Sequence, residues 1–583
     1  MNTTPSPRRA ASRLSVLLSA GLLAMAAGGA AQAQDVAVNQ VGFLPGAAKW
    51  AALPGAAGDE FRVVRAGSNE VVLRGRLGAT RTWAPAGQAV RLADFSALKE
   101  PGDYELRADG VAASPRIRVA VDANAALTAA SLKAFYFNRA GTALEARHAG
   151  PWARPAGHPD TEVRIHASAA SDKRPEGSRI SSPKGWYDAG DYNKYIVNSG
   201  ITVYTLLAAY EQFPALFKAQ TLNIPESGND LPDVLDEVLW NLEWMLTMQD
   251  PADGGVYHKL TNKGFDGNVM PHEAKGERYV VAKGTAATLD FAAVMAHASR
   301  VFKPFEAQRP GLSARLRDAA VAAWRWSRAN PQVTYKNPPD VRTGEYGDTR
   351  LDDEFAWAAA ELYLTTGEMA YRDALALDRH TVRVPGWGDV MGLAWVSLAQ
   401  NRDKLTQAEA ELVTRRVRAF GDELATLWRD SAYRLTMESA NDYVWGSNAH
   451  ALNQALMLIQ AYRVGSDRAQ LDAAQSVLDY VLGRNPLGIS YVTGFGQRSP
   501  LHPHHRPSEA DGVEAPVPGF IVGGPNPGQQ DQKNCPVRYP SALPALSYID
   551  HGCSYAANEV AINWNAPLVY VAAALQALTP SAR

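Results

Sequence analysis

From about residue 122 to the C-terminus, the chain is a series of Ala-rich stretches whose apolar residues recur at helical spacing. Leu235, Val238, Leu239, Leu242, Met245 and Leu246 follow the i, i+3, i+4, i+7 pattern, which places them on one face of an α-helix. Similar segments fall near 125–143, 193–214, 284–303, 311–329, 353–366, 368–377, 387–400, 407–427, 447–463, 467–484 and 566–578, about a dozen helices. Apolar helices joined by alternately short and long connections suit a barrel of helical hairpins. The long connections are 144–192, 250–283, 330–352 and 485–565. They hold most of the distinctive residues, so the functional site is expected at one rim, on loops carried by a rigid scaffold.

Before residue 122 the period changes. Val36 and Val38, Tyr104 and Leu106, and Ile117 and Val119 alternate along the chain. Turn signals at Gly67-Ser68-Asn69, Pro85-Ala86-Gly87, Pro101-Gly102-Asp103 and Asp109-Gly110 divide the stretch into short strands. The spacing predicts a small β-sandwich over 34–121, without a charged or His-rich cluster of catalytic character, ahead of a helical domain over 122–583. Residues 1–33 read as a secretory signal peptide: Arg8, Arg9 and Arg13 are followed by a short apolar run from Leu14 to Ala27 and the small-x-small site Ala31-Gln32-Ala33. The mature chain is therefore expected to be secreted or periplasmic.

Loss of the signal removes three of the 58 basic residues, leaving 55 against 60 acidic ones, a net charge of −5. So mild a balance gives no electrostatic case for nucleic acid or an anionic membrane as partner. No later apolar stretch is long enough to span a bilayer. The two cysteines, Cys535 and Cys553, are disulfide candidates in an oxidising compartment; the plainer reading is two unpaired thiols.

Two stretches carry the chemistry. Trp186-Tyr187-Asp188-Ala189-Gly190-Asp191-Tyr192 sets two carboxylates across a glycine, with aromatics on both sides. Asn558-Glu559-Val560-Ala561-Ile562-Asn563-Trp564-Asn565-Ala566-Pro567 sets one carboxylate near Tyr555, Val560, Ile562 and Trp564. A paired, well-solvated carboxylate and a solitary one in apolar surroundings titrate differently. Two carboxyl groups with separated pKa values are what hydrolysis of a glycosidic bond needs. Plainer readings stand beside this one. Asp191 would cap a helix starting near Tyr192, an Asp-x-x-Asp pair also suits a cation, and Glu559 would be a surface loop residue. Pro567 fits the first turn of a helix capped by Asn565, which leaves Glu559 in the preceding loop.

These residues resemble glycoside hydrolase family 9, the inverting cellulases, over nearly the whole mature chain. Asp188-Ala189-Gly190-Asp191 matches the family's Asp-Ala-Gly-Asp motif, and Asn558 to Ile562 with Asn565-Ala566-Pro567 matches the segment that holds its acid. Ser490 to Arg498, followed by Pro503-His504-His505-Arg506, matches its histidine signature. Val38-Asn39-Gln40-Val41-Gly42-Phe43-Leu44-Pro45 resembles the immunoglobulin-like module of one branch. The resemblance implies a mostly α fold, an (α/α)6 barrel behind an immunoglobulin-like β-sandwich. It implies Asp191 as the base that activates water, Asp188 as the group that orients it, and Glu559 as the acid. In an inverting enzyme the base and acid carboxyls stand roughly 6.5–9.5 Å apart. His504 and Arg506 would bind sugar hydroxyls, and His505 reads as a buried structural histidine. Tyr187, Trp445 and Trp564 are stacking candidates for the sugar, with core packing as the alternative. Trp564 stands where many relatives have Tyr.

The resemblance also implies structural calcium. One candidate set is Glu226, Asp230, Asp233 and Asp236, which suits calcium and equally suits the N-terminus of a helix. A second is Thr349, Asp352, Asp353 and Asp389. The two-Cys, two-His zinc site of some relatives is not expected, because the surroundings of His158 contain no Cys. No catalytic cofactor is expected. The resulting expectation is a monomeric endo-1,4-β-glucanase of cellulase type acting on a β-glucan or cello-oligosaccharide. The alternatives are an exo-acting β-glucosidase or glucosaminidase on short oligosaccharides, and a non-catalytic sugar-binding protein.

Overall fold

The alternating segment forms two antiparallel sheets in the computed structural model, which describes residues 36–580; the signal-peptide reading of 1–33 lies outside them. One sheet orders Trp50–Pro54, Gln88–Asp94 and Arg81–Trp83; the other orders Val71–Arg76, Glu60–Arg65, Gly102–Ala108 and Ile117–Val119. Val36, Val38, Phe61, Val63, Tyr104, Leu106, Ile117 and Val119 share its core, which is why those positions alternate.

This module is fastened to the helical domain. Trp83 is fully buried, stacks on Tyr433 with ring centroids 4.5 Å apart, and donates its indole N–H to Glu438 at 2.8 Å. Gln40 Oε1 accepts the backbone N–H groups of Gln497 and Arg498, so the module braces the loop that leads to His504. Trp83→Ala is expected to cost about 3–5 kcal/mol. Calorimetry should show a lower melting temperature with kcat unchanged well below it; an unchanged melting temperature would mean that this interface carries no stability.

Twelve helices build the second domain as two rings. Ile196–Gln212, Thr285–Phe302, Asp352–Thr366, Met391–Gln400, Ser447–Gly465 and Ile562–Leu578 pack each against the next and close on themselves. Outside them lie Ala125–Phe137, Asp233–Thr247, Leu312–Ala329, Met369–Leu375, Gln407–Asp430 and Arg468–Val481. Burial separates the rings. Every residue of Thr285–Phe302 except Arg300 is buried, whereas Gln407–Asp430 buries one stripe: Val413, Val417, Gly421, Leu424, Ala425 and Trp428. Among the described residues no helix is long and apolar enough to cross a membrane.

Two local expectations change. The last helix begins at Ile562, so Pro567 lies inside it rather than at its first turn. Asn565 does not cap it: its side chain accepts the Ile521 N–H and donates to Ser131 O, and Ile562 N–H donates to Asp188 O at 2.8 Å. Tertiary partners start this helix early, and Glu559 still precedes it. Asp191 caps no helix either, since the helix after it starts at Ile196. The intervening Lys194–Tyr195 is a strand in a small rim sheet ordered Lys194–Tyr195, Lys259–Thr261, Tyr279–Val280, Val163–Ile165, Arg179–Ile180.

Candidate active site

Three distant segments meet at Gly190. Its N–H donates to Glu559 Oε1 at 3.3 Å, and its carbonyl accepts from the Arg506 backbone N–H at 3.1 Å and guanidinium at 2.9 Å. A Cβ at this position would lie 2.2 Å from the His504 carbonyl oxygen, so only glycine permits the approach. His504 N–H donates to Asn558 O, Gly523 N–H to Glu559 O, and Ile562 N–H to Asp188 O. Backbone hydrogen bonds thus join the Asp-x-x-Asp loop, the histidine segment and the glutamate segment before any side chain is considered.

Asp188 and Asp191 are both buried, contrary to the expectation of a well-solvated pair. Asp188 accepts from Asn198 Nδ2 at 3.0 Å and from the Tyr346 hydroxyl at 3.1 Å. Burial, then the neighbouring Asp191 charge, raises its pKa to about 8, against the pull of those two donors. Asp191 Oδ2 accepts from Asn193 Nδ2 at 2.6 Å, while Oδ1 is buried without a hydrogen-bond partner. Burial raises the Asp191 pKa, and Arg506 and the Asn193 donors oppose the rise. Glu559 is partly accessible at the surface of the site but deep enough that burial, then the Asp191 charge, holds its carboxyl well above the usual range, with Arg506 pulling the other way. The expected contrast in solvation between the pair and the solitary acid is not found. All three carboxyls are desolvated, and the nearby cation and amide donors favour ionisation of Asp191.

Arg506 is held by Asp266 O at 2.9 Å on its Nε. His504 Nδ1 donates to Gly552 O at 2.5 Å, and burial lowers its pKa, so the neutral ring keeps Nε2 as an acceptor. His505 is buried against Ser508. Trp445 is 44% exposed and lies 5.5 Å from the ring of Tyr555, which in turn meets His504 edge-on. Trp564 is half-buried, packed close against Gly446 and Gly523. Tyr187 is a correction: it is 1% exposed, with its hydroxyl 2.9 Å from His158 Nδ1, so it belongs to the core. Asn193, Asn198 and Tyr346 join the site without having been foreseen. A polar Asn198 in a helix buried over fifteen consecutive residues was the available clue; Tyr346 lies in an irregular loop with none.

The first calcium candidate set is mostly engaged elsewhere, with only Asp236 Oδ2 buried and without a partner. Glu226 pairs with buried Arg139 at 3.0 Å, and Arg139 also holds Glu237. Asp233 Oδ2 accepts from Leu222 N–H and Ser227 Oγ, Asp236 Oδ1 from Asn229, and Asp230 is exposed. In the second set Thr349 and Asp352 are exposed, and Asp389 pairs with Arg383. Asp353 differs: it is buried, and its Oδ1 has no partner. Cys535 and Cys553 form a disulfide. Among the described residues they and His551 are the one group of three metal-ligand side chains gathered within 4.8 Å. The sulfurs are bonded to each other and His551 Nδ1 accepts the Cys553 N–H at 3.0 Å, so this group is not set to hold zinc.

A double ring of helices with three converging carboxyls at its rim defines a glycoside hydrolase. The chain belongs to glycosyl hydrolase family 9, whose model matches residues 125–572, and residues 31–113 match the cellulase N-terminal ig-like domain. It is similar to the xyloglucan-specific endo-beta-1,4-glucanase of Bacteroides ovatus, with 44% identity over 93% of this chain and 94% of that one. A cellodextrinase of Butyrivibrio fibrisolvens is 33% identical over 92% of this chain and 98% of its own length. A solved family 9 structure from Bacteroides ovatus superposes with a TM-score of 0.88 at 42% identity, covering 94% of this chain and 100% of that one.

Proposed function

We propose that the protein is a secreted or periplasmic endo-β-1,4-glucanase that hydrolyses soluble β-1,4-linked glucans, xyloglucan among them, with inversion. The unpartnered Oδ1 of Asp191, beside a protonatable Glu559, is the observation that supports it most. Asp191 Oδ1 takes a proton from water while Asp188 orients that water. The water oxygen bonds to the anomeric carbon as the bond to the leaving oxygen breaks, and Glu559 gives that oxygen its proton. Arg506 favours the charged base, and His504, Arg506 and Trp445 receive the sugar. Two carboxyl groups and water supply the whole reaction, without a cofactor. The test is hydrolysis of xyloglucan, mixed-linkage β-glucan and carboxymethyl cellulose, followed by viscosity and reducing ends together. An early fall in viscosity fits endo action. Glucose release from chain ends alone, or activity confined to cellodextrins, would replace this reading with the exo-acting one.

For structural calcium, one group of unpartnered buried carboxyls among the described residues is a candidate, although its oxygens are not all within 4.8 Å of one another. Asp353 Oδ1, both oxygens of Asp290 and both of Glu354 are buried without hydrogen-bond partners, and oxygen-only ligands are what calcium takes. Asp353, Glu354 and Asp290, whose charges act on one another, would hold it. Exhaustive chelation is expected to lower the melting temperature, and added calcium to restore it. An unchanged melting temperature would leave these carboxyls neutralised by protons instead.

A further inference from the structure

Behind the Asp-x-x-Asp loop, Lys194–Tyr195 pairs antiparallel with Lys259–Thr261, with Tyr195 opposite Lys259. The Lys259 side chain is fully buried and forms no ion pair among the described residues. Its Nζ donates to Asn337 Oδ1 at 2.8 Å, Thr343 Oγ1 at 3.0 Å and Gly344 O at 2.6 Å. Three acceptors match the three N–H groups of an ammonium, and an ammonium only donates. That requirement sets the direction of everything beyond it. Thr343 accepts from Lys259, so its own hydrogen is directed to Thr261 Oγ1, 2.7 Å away. Thr261 lies 2.9 Å from Asn193 Oδ1 and 2.8 Å from Asn262 O, both acceptors for its hydrogen. Asn193 Oδ1 also accepts the Asn262 N–H at 3.0 Å, which fixes the amide so that its NH2 faces Asp191. Asn193 Nδ2 then donates to Asp191 Oδ2 at 2.6 Å.

We propose that Lys259 is a positioning residue for the hydrolysis: its ammonium orients a buried donor chain through Thr343, Thr261 and Asn193 that ends on Asp191 Oδ2. The inference rests on the reading of Asp191 as the base. The chain occupies one carboxylate oxygen with a donor and leaves Oδ1, which has no partner, for water. Each link polarises the next inside a dry interior. The same ammonium holds Gly344, two residues before Tyr346, whose hydroxyl donates to Asp188 at 3.1 Å. One buried charge thus steadies both aspartates. Burial lowers the Lys259 pKa and the charges of Asp191 and Glu345 oppose the fall, leaving it at about 7, so the site's own carboxylates keep the cation populated up to neutral pH.

The test is a double-mutant cycle on a single β-glucan. Thr261→Val keeps the shape and removes the middle hydroxyl; Lys259→Met removes the charge. Thr261→Val is expected to lose roughly tenfold in kcat, the scale of one hydrogen bond in a chain that ends on a charge. Its KM should stay within about twofold, because no substrate contact is touched. Lys259→Met with Thr261→Val should lose little more than Lys259→Met alone, since the chain is already cut. Should Lys259→Met not fold, Thr343→Val takes its place in the cycle. Losses that multiply, that lie in KM, or that vanish once corrected for the folded fraction would overturn the proposal. Asp191→Asn is measured in parallel. Inactive Asp191→Asn beside an unaffected Thr261→Val removes the role of Lys259 alone, while wild-type activity in Asp191→Asn removes the base assignment and this inference with it.

Discussion

Glu559→Gln should lose roughly 10²–10⁴-fold in kcat on β-glucan and far less on 2,4-dinitrophenyl cellobioside. The substitution keeps the shape of the side chain and removes the transferable proton. A sugar alkoxide is a poor leaving group and needs that proton; dinitrophenolate departs without it. The pH profile should change as well. Glu559 works as the protonated acid, and its carboxyl is held well above the usual range. Activity of the unmodified protein therefore falls as pH rises through that raised pKa, above the range of an ordinary glutamate. On the activated substrate, Glu559→Gln should lack this alkaline limb. Equal losses on both substrates would show that Glu559 is not the proton donor.

Asp191→Asn should cripple both substrates alike, because both still need an activated water. Asp191 works ionised, and burial raises its pKa above the ordinary aspartate value. The acid limb of the profile should accordingly lie above the range of a surface aspartate. Asp188→Asn should fall between the unmodified protein and Asp191→Asn on each substrate, since it orients the water without taking the proton. Comparable kcat on the dinitrophenyl substrate for Asp191→Asn and the unmodified protein would contradict the assignment.

The barrel was legible because outer helices such as Gln407–Asp430 bury one periodic stripe, while inner ones such as Thr285–Phe302 are long, Ala-rich apolar runs. Motifs around Asp188, Asp191 and Glu559 were legible because carboxylates and aromatics stand together locally. What the sequence hides is the reach of side chains across the fold. Tyr187 sits beside Asp188, yet its ring is buried against His158, while Tyr346, 158 positions away from Asp188, supplies a hydrogen bond. Glu226 has the composition of a calcium ligand but serves Arg139, a partner 87 positions distant. Solvation was misjudged for the same reason: the stretch around Asp188 looks polar, but the last helix, the histidine segment and the rim sheet close over it. The rim sheet itself has strands of two or three residues, too short to leave a period.

In the proposed reaction a base acts on water opposite an acid acting on the leaving oxygen, in a single displacement. Proton NMR of the first product released from a β-glucan tests it most directly. The α-anomer is expected to appear first and then mutarotate toward equilibrium. First appearance of the β-anomer would mean two displacements through a covalent intermediate, with a carboxylate attacking carbon, and would contradict the role given to Asp191.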